Sequence, residues 1–120
     1  MNSLLNIIRK MSFVVCLLSI TMLSLSPSDA VPQVGGYDKI VHCLSYLFLS
    51  FCFWAGFQKA RPVWLMLVLL VLFGVLIEVF QSFVPGRLMS FWDSVANGLG
   101  VLIGYVLFRF IKKLNLGVLK

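Results

Sequence analysis

The sequence predicts an all-α membrane protein: four transmembrane helices packed as an antiparallel bundle, with both termini cytoplasmic. Apolar residues fill 61% of the 120 positions and charged residues only 12%, far outside the range of a soluble domain of this size. Charge-free or nearly charge-free stretches run from Met11 to Ser26, Ile40 to Phe57, Pro62 to Ile77 and Ser94 to Phe108. With its flanks each reaches about 20 residues, enough to cross about 30 Å of hydrocarbon at about 1.5 Å per residue. Backbone groups in lipid must be satisfied within the segment, and these runs lack the alternation of barrel strands, so the spans are helices.

The first helix is predicted over residues 11–27, after a short cytoplasmic N-terminus of residues 1–10 that carries Arg9 and Lys10. Its basic start, apolar run and Ser28-Asp29-Ala30 also resemble a secretory signal with a small-residue cleavage site, so this helix is either retained or removed. Pro32 and Gly35-Gly36 break any helix before the second span, residues 38–57. Gln58-Lys59-Ala60-Arg61 forms a tight cytoplasmic turn, and Pro62 fits the first turn of a third helix over 62–84. Pro85-Gly86-Arg87 is the matching external turn, followed by a fourth helix over 91–111 and a basic cytoplasmic tail, 112–120. Residues 11–111 thus make one domain, and the short links make helices 2, 3 and 4 antiparallel neighbours.

Arg9, Lys10, Lys59, Arg61, Arg109, Lys112, Lys113 and Lys120 all fall on one side of a chain that crosses four times, which marks that side as cytoplasmic. Lys39 and Arg87 fall on the other, with Asp29, Asp38, Glu78 and Asp93. The net charge of +6 therefore reflects orientation against an anionic inner leaflet, and a nucleic-acid partner is not expected. Trp54, Phe57 and Trp64 near the inner boundary, with Tyr37 and Trp92 near the outer one, read as aromatic anchors. Cys16, Cys43 and Cys52 form no C-x-x-C pair, and no disulfide is expected.

An ionisable group in hydrocarbon costs roughly 2.5–3.5 kcal/mol on the lenient insertion scale, so the acids near the outer boundary suggest a site. Asp38 and His42 are four apart, with Ser45 one turn deeper and Tyr46 on the shoulder of that stripe. Glu78 and Gln81 share a face near the outer end of helix 3, and Asp93 and Asn97 sit one turn apart at the start of helix 4. All fall within about 10 Å of the external boundary at about 1.5 Å per residue, so one shared pocket is expected.

Asp38-Lys39-x-x-His42-x-x-x-Tyr46, then Glu78-x-x-Gln81-x-x-x-Pro85-Gly86-Arg87-x-x-Ser90-x-x-Asp93-x-x-Ala96-Asn97, then Gly100-x-x-x-Gly104, resembles the VanZ-like family of small bacterial membrane proteins. The likeness covers Tyr37 to Gly104 and rests on the order and spacing of many polar residues in apolar helices. It implies a multi-pass protein of the bacterial cytoplasmic (inner) membrane, in a family whose namesake is linked with low-level resistance to the glycopeptide antibiotic teicoplanin. It supplies no known reaction.

Three functions suit these residues. An outward-facing site can bind an envelope lipid, a lipid-linked precursor or a glycopeptide-like ligand through Asp38, Lys39, Tyr46, Gln81, Arg87, Ser90 and Asn97; the planar fork of Arg87 suits phosphate or carboxylate, or else pairs with Asp93. A membrane-embedded enzyme would use Glu78, His42 and Asp93 as catalytic acid and base groups. An assembly protein would use the same cluster only to fasten the bundle. Asp38, His42, Glu78 and Asp93 are all possible metal ligands, but a lone histidine with scattered carboxylates lacks a compact signature, and neither metal nor cofactor is expected. Ser45 or Ser90 beside His42 gives residue types without triad geometry. Gly100 and Gly104 put a smooth groove on helix 4, for internal packing or for a homo-oligomer.

Overall fold

Four helices account for nearly all of the computed structural model, which describes residues 2–26, 37–87 and 90–114: α1 Asn2–Ser24, α2 Tyr37–Gly56, α3 Val63–Gln81 and α4 Phe91–Lys113. No strand occurs among the described residues, and all four helices are long and apolar enough to cross a bilayer. The cleavage-site residues 28–30, the Pro32 and Gly35-Gly36 link, the Tyr37 side chain and the tail beyond Leu114 lie outside the described residues.

Several boundaries differ from expectation, most at the start of α1 and at the ends of α1 and α3. The first helix begins at Asn2, not near residue 11, because a charge-free window excludes Arg9 and Lys10 although nothing from Asn2 to Lys10 breaks a helix. Arg9 is buried, and Gly56 at the end of α2 brings its backbone against Arg9 and Lys10. Lys10 also lies over the Phe57 ring, 5.5 Å from its centroid. The third helix stops at Gln81 instead of residue 84. From Ser82 onward the backbone tightens into three-residue turns, Ser82 N–H to Val79 O, Phe83 to Phe80 and Val84 to Gln81, ahead of Pro85 and Gly86. Gly86 has φ 80°, which any residue with a Cβ rarely adopts. Pro62 precedes α3 in extended conformation, as a residue without an N–H tolerates.

The packing is that of a protein in lipid. Large apolar side chains such as Leu18, Phe48, Trp64, Phe80, Trp92 and Phe110 face outward, while Ser50, Glu78, Gln81, Asp93 and Asn97 are buried. Tyr46, Leu49, Leu70, Val101 and Ile20 form one apolar layer, and Trp54, Ala55 and Phe108 a second. Trp54, expected as a belt residue, is 1% exposed with its ring 4.8 Å from that of Tyr105; it is core. Trp64 and Trp92 remain outward, as anchors should be.

The most extensive packing joins α2 to α4. The sequence neighbour α3 meets α2 mainly through side chains such as Tyr46 and Phe73, whose ring centroids are 6.1 Å apart. A Cβ on Gly100 would fall on the Cys43 carbonyl oxygen, and one on Gly104 on the Leu47 carbonyl oxygen. Ser50 Oγ donates to the Val101 carbonyl at 2.8 Å across the same seam. Both glycines are thus occupied by α2 within one chain, which leaves no glycine groove for the homo-oligomer contact.

Gly100→Ala and Gly104→Ala must separate two backbones and are expected to destabilise by about 1–3 kcal/mol. Gly98, with nothing within 4 Å of a new Cβ, is the control: Gly98→Ala should be neutral or gain about 0.5–1 kcal/mol. Thermal unfolding of the three variants in one detergent checks the contrast.

Candidate functional site

Two helix starts and one helix end build the site. Asp38 lies in the first turn of α2 and Asp93 in the first turn of α4, where the positive end of the helix dipole favours an anion. Glu78 lies one turn before the end of α3, where the dipole opposes it. That carboxylate is also the most deeply placed, with 0% exposure, against 6% for Asp93 and 1% for Asn97.

The side chains converge. His42 Nδ1 is 3.2 Å from Asn97 Oδ1 and 3.3 Å from Glu78 Oε1, so one imidazole nitrogen ties α2 to both α3 and α4. Lys39 Nζ is 3.5 Å from Asp93 Oδ1 and 3.8 Å from Asp38 Oδ2. Donor atoms of His42, Glu78 and Asp93 all lie within 4.8 Å of one another. Tyr46 is 2% exposed and Gln81 3%. Gly74, one turn before Glu78, lets the Tyr46 ring and the Asn97 side chain close over α3, with a Cβ there at 3.1 Å and 3.3 Å from them.

A cavity of about 330 Å³ opens beside this cluster. Asp38, His42, Ser45, Tyr46, Gln81, Arg87, Ser90 and Asp93 give its polar wall, and Ile20, Leu23 and Val41 its apolar one. Lys39, Glu78 and Asn97 belong to the cluster but not to the lining. The buried network is poorly satisfied. Both Glu78 oxygens, Asp38 Oδ1, Asp93 Oδ1, Asn97 Nδ2 and the Tyr46 hydroxyl have no hydrogen-bond partner, whereas buried polar atoms ordinarily do. The Ser90 amide is turned toward the Glu78 carboxylate without reaching hydrogen-bonding geometry.

Helix α1 enters the site in a way its sequence gives no sign of. Arg87 Nε donates to the Ser26 carbonyl at 2.9 Å and Nη2 to the Leu23 carbonyl at 3.1 Å. These carbonyls lie at and just past the end of α1, where the dipole favours a cation, and the Leu23 carbonyl also accepts from the Ser26 N–H. The alternative of an Arg87–Asp93 pair does not form; Asp93 takes Lys39 instead. Arg87 therefore fastens α1 to the α3–α4 turn and is itself part of the cavity wall.

A bundle of four helices, each long and apolar enough to span a bilayer, that buries ionisable side chains beside a cavity near its helix ends is the pattern of a multi-pass membrane protein with a buried polar cluster. The chain belongs to the VanZ/LLP1 family, whose model matches residues 2–112. No curated protein and no solved structure matches it.

Arg87→Gln is expected to lower stability by about 1.5–3 kcal/mol, the range for hydrogen bonds to a charged group. The loss should appear in ligand-free protein by thermal unfolding. Unchanged ligand-free stability would mean that the fork is not committed to α1.

Proposed function

We propose that this chain sits in the bacterial cytoplasmic membrane as an antiparallel four-span bundle with both termini inside, and binds the anionic headgroup of an envelope lipid or lipid-linked precursor from the outer side. The observation that carries this reading is the cavity itself: about 330 Å³, one wall apolar and the other lined by buried polar atoms that lack partners. Such a volume is at the lower end of the range for small-molecule sites, about 300–1,000 Å³. It suits a phosphate or a single sugar whose acyl chain remains in lipid. It does not enclose a whole glycopeptide, so an effect on susceptibility to teicoplanin-type antibiotics acts through the bound envelope molecule.

The orientation follows from charge. Arg9, Lys10, Lys59, Arg61, Arg109, Lys112 and Lys113 fall toward one end, and the polar-walled cavity lies toward the other. A fluorescent-protein fusion after Lys120 should be bright and an alkaline-phosphatase fusion at the same position inactive. The reverse pattern would turn the cavity to the cytoplasm and end the envelope reading.

Binding is tested by adding a polyprenyl phosphate to purified chain, with the corresponding polyprenol as control. At about 100 times the Kd a single-site ligand stabilises by about 2.7 kcal/mol, which a thermal shift resolves. A shift with the phosphate and none with the polyprenol is expected; equal or absent shifts would contradict a headgroup site.

Acid–base catalysis on the same lipid is a second reading, favoured by one observation: His42 Nδ1 stands 3.3 Å from the Glu78 carboxylate beside the cavity. Glu78→Gln and His42→Ala would then change the membrane lipid profile by mass spectrometry. A profile identical to that of the parent would remove catalysis and leave binding.

A further inference from the structure

Two carboxylates, Asp38 and Asp93, line a cavity read as taking an anionic headgroup, with Glu78 buried beside it, and that conflict of charge requires resolution. Lys39 is paired with Asp38 and Asp93 and is 43% exposed, and Arg87 is bonded to α1 carbonyls. Among the described residues the ion-pair partner of Glu78 is the His42 imidazole, at 3.3 Å.

We infer that His42, Glu78 and Asp93 form a binding site for one divalent cation of intermediate hardness, Mn²⁺ or Zn²⁺. Each ligand comes from a different helix, α2, α3 and α4 respectively. Metal–ligand bonds of about 2.0–2.1 Å in a tetrahedral shell hold neighbouring donor atoms about 3.4 Å apart. The His42 Nδ1 to Glu78 Oε1 distance is 3.3 Å, already that separation. The full set, within 4.8 Å, closes by side-chain rotation of roughly 1.5 Å on the same geometric basis.

Charge and hydrogen bonding support the same ion independently of that spacing. Two carboxylates and a divalent cation sum to zero, the state that hydrocarbon surroundings tolerate best. The C-terminal end of α3, which opposes Glu78 as an anion, favours a cation beside it. Near the cluster two further side chains are buried by more than nine-tenths and lack partners: the Tyr46 hydroxyl and the Asn97 amide nitrogen. Asn97 Oδ1, 3.2 Å from His42 Nδ1, gives up that contact when Nδ1 turns its lone pair to the ion. A water or ligand oxygen on the ion would give Tyr46 and Asn97 the partners they lack. One imidazole with two carboxylates mixes the donor preferences of zinc with those of manganese and offers no soft ligand. Three protein ligands leave a position open toward the cavity, as sites that bind a further ligand require.

The test uses the full chain in detergent, stripped with EDTA and free of added lipid, so that its result is independent of headgroup binding. Titration with Mn²⁺ followed by electron paramagnetic resonance, and with Zn²⁺ followed by elemental analysis, should show one ion per chain and a raised melting temperature. Glu78→Gln and Asp93→Asn should each weaken uptake by at least about tenfold, the scale at which even outer-shell partners act. No uptake by the folded parent, or equal uptake by both folded variants, would overturn the site. Should either variant fail to fold, X-ray absorption on the zinc-loaded parent decides: a nitrogen and oxygen shell near 2.0–2.1 Å supports the site, and a sulfur scatterer near 2.3 Å, implicating Cys43, overturns it. Polyprenyl phosphate binding that is unchanged by EDTA would overturn a role for the ion in headgroup binding while leaving the headgroup reading intact.

Discussion

The seating of α2 on the glycine face of α4 is the contact on which the rest of the molecule depends. Because Gly100 and Gly104 lack a Cβ, the two backbones approach until Cys43 and Leu47 lie directly against them, and Ser50 locks the seam through the Val101 carbonyl. Above that seam His42 meets Asn97 and Lys39 meets Asp93. Helix α3 then needs only to pack Gly74 against Tyr46 and Asn97 for Glu78 to arrive at the imidazole. The polar site is thus a consequence of how closely two helices can approach, and a methyl group at either glycine would disturb it before any charged residue was touched.

Stability does not explain why Glu78 is there. Interhelical polar contacts in membranes average about 0.6 kcal/mol, while an ionisable residue at membrane depth costs roughly 2.5–3.5 kcal/mol. Glu78 receives no hydrogen bond on either oxygen and sits at the unfavourable end of its helix dipole. Asp38 and Asp93 are placed the opposite way, at helix starts with Lys39 beside them. Arg87 is different again, since its two bonds to α1 close the wall of the cavity. The cluster therefore contains parts that hold the bundle and one part, Glu78, whose retention points to binding or chemistry.

Much of this was legible in the sequence because it follows from periodicity. Asp38, His42 and Tyr46 fall on one helical stripe, as do Glu78 with Gln81 and Asp93 with Asn97; Asp38, His42, Tyr46, Gln81 and Asp93 line the cavity, while Glu78 and Asn97 reach His42 behind it. What escaped involves main chain or partner choice. The carbonyls of Leu23 and Ser26 that accept from Arg87 carry no side-chain signal, so helix 1 contributed nothing to the reading of the site. The early start of α1 was hidden because Arg9 and Lys10 end a charge-free window without ending a helix. Trp54 reads as an interfacial anchor by depth, yet its face of α2 turns toward Tyr105. Short links suggested helices 2, 3 and 4 as neighbours without ranking them, and backbone access at the glycines makes α4 the main partner of α2. The approach of His42, Glu78 and Asp93 donor atoms to within 4.8 Å of one another also escaped, since three side chains from three helices form no local spacing pattern.

The most direct measurement is the unfolding free energy of Glu78→Gln against the parent, both stripped with EDTA in the same detergent. If the carboxylate is kept for what it binds, the neutral isostere should be as stable as the parent or more so. A loss beyond about 1 kcal/mol would show instead that Glu78 holds the helices together, and the site would reduce to an internal fastening.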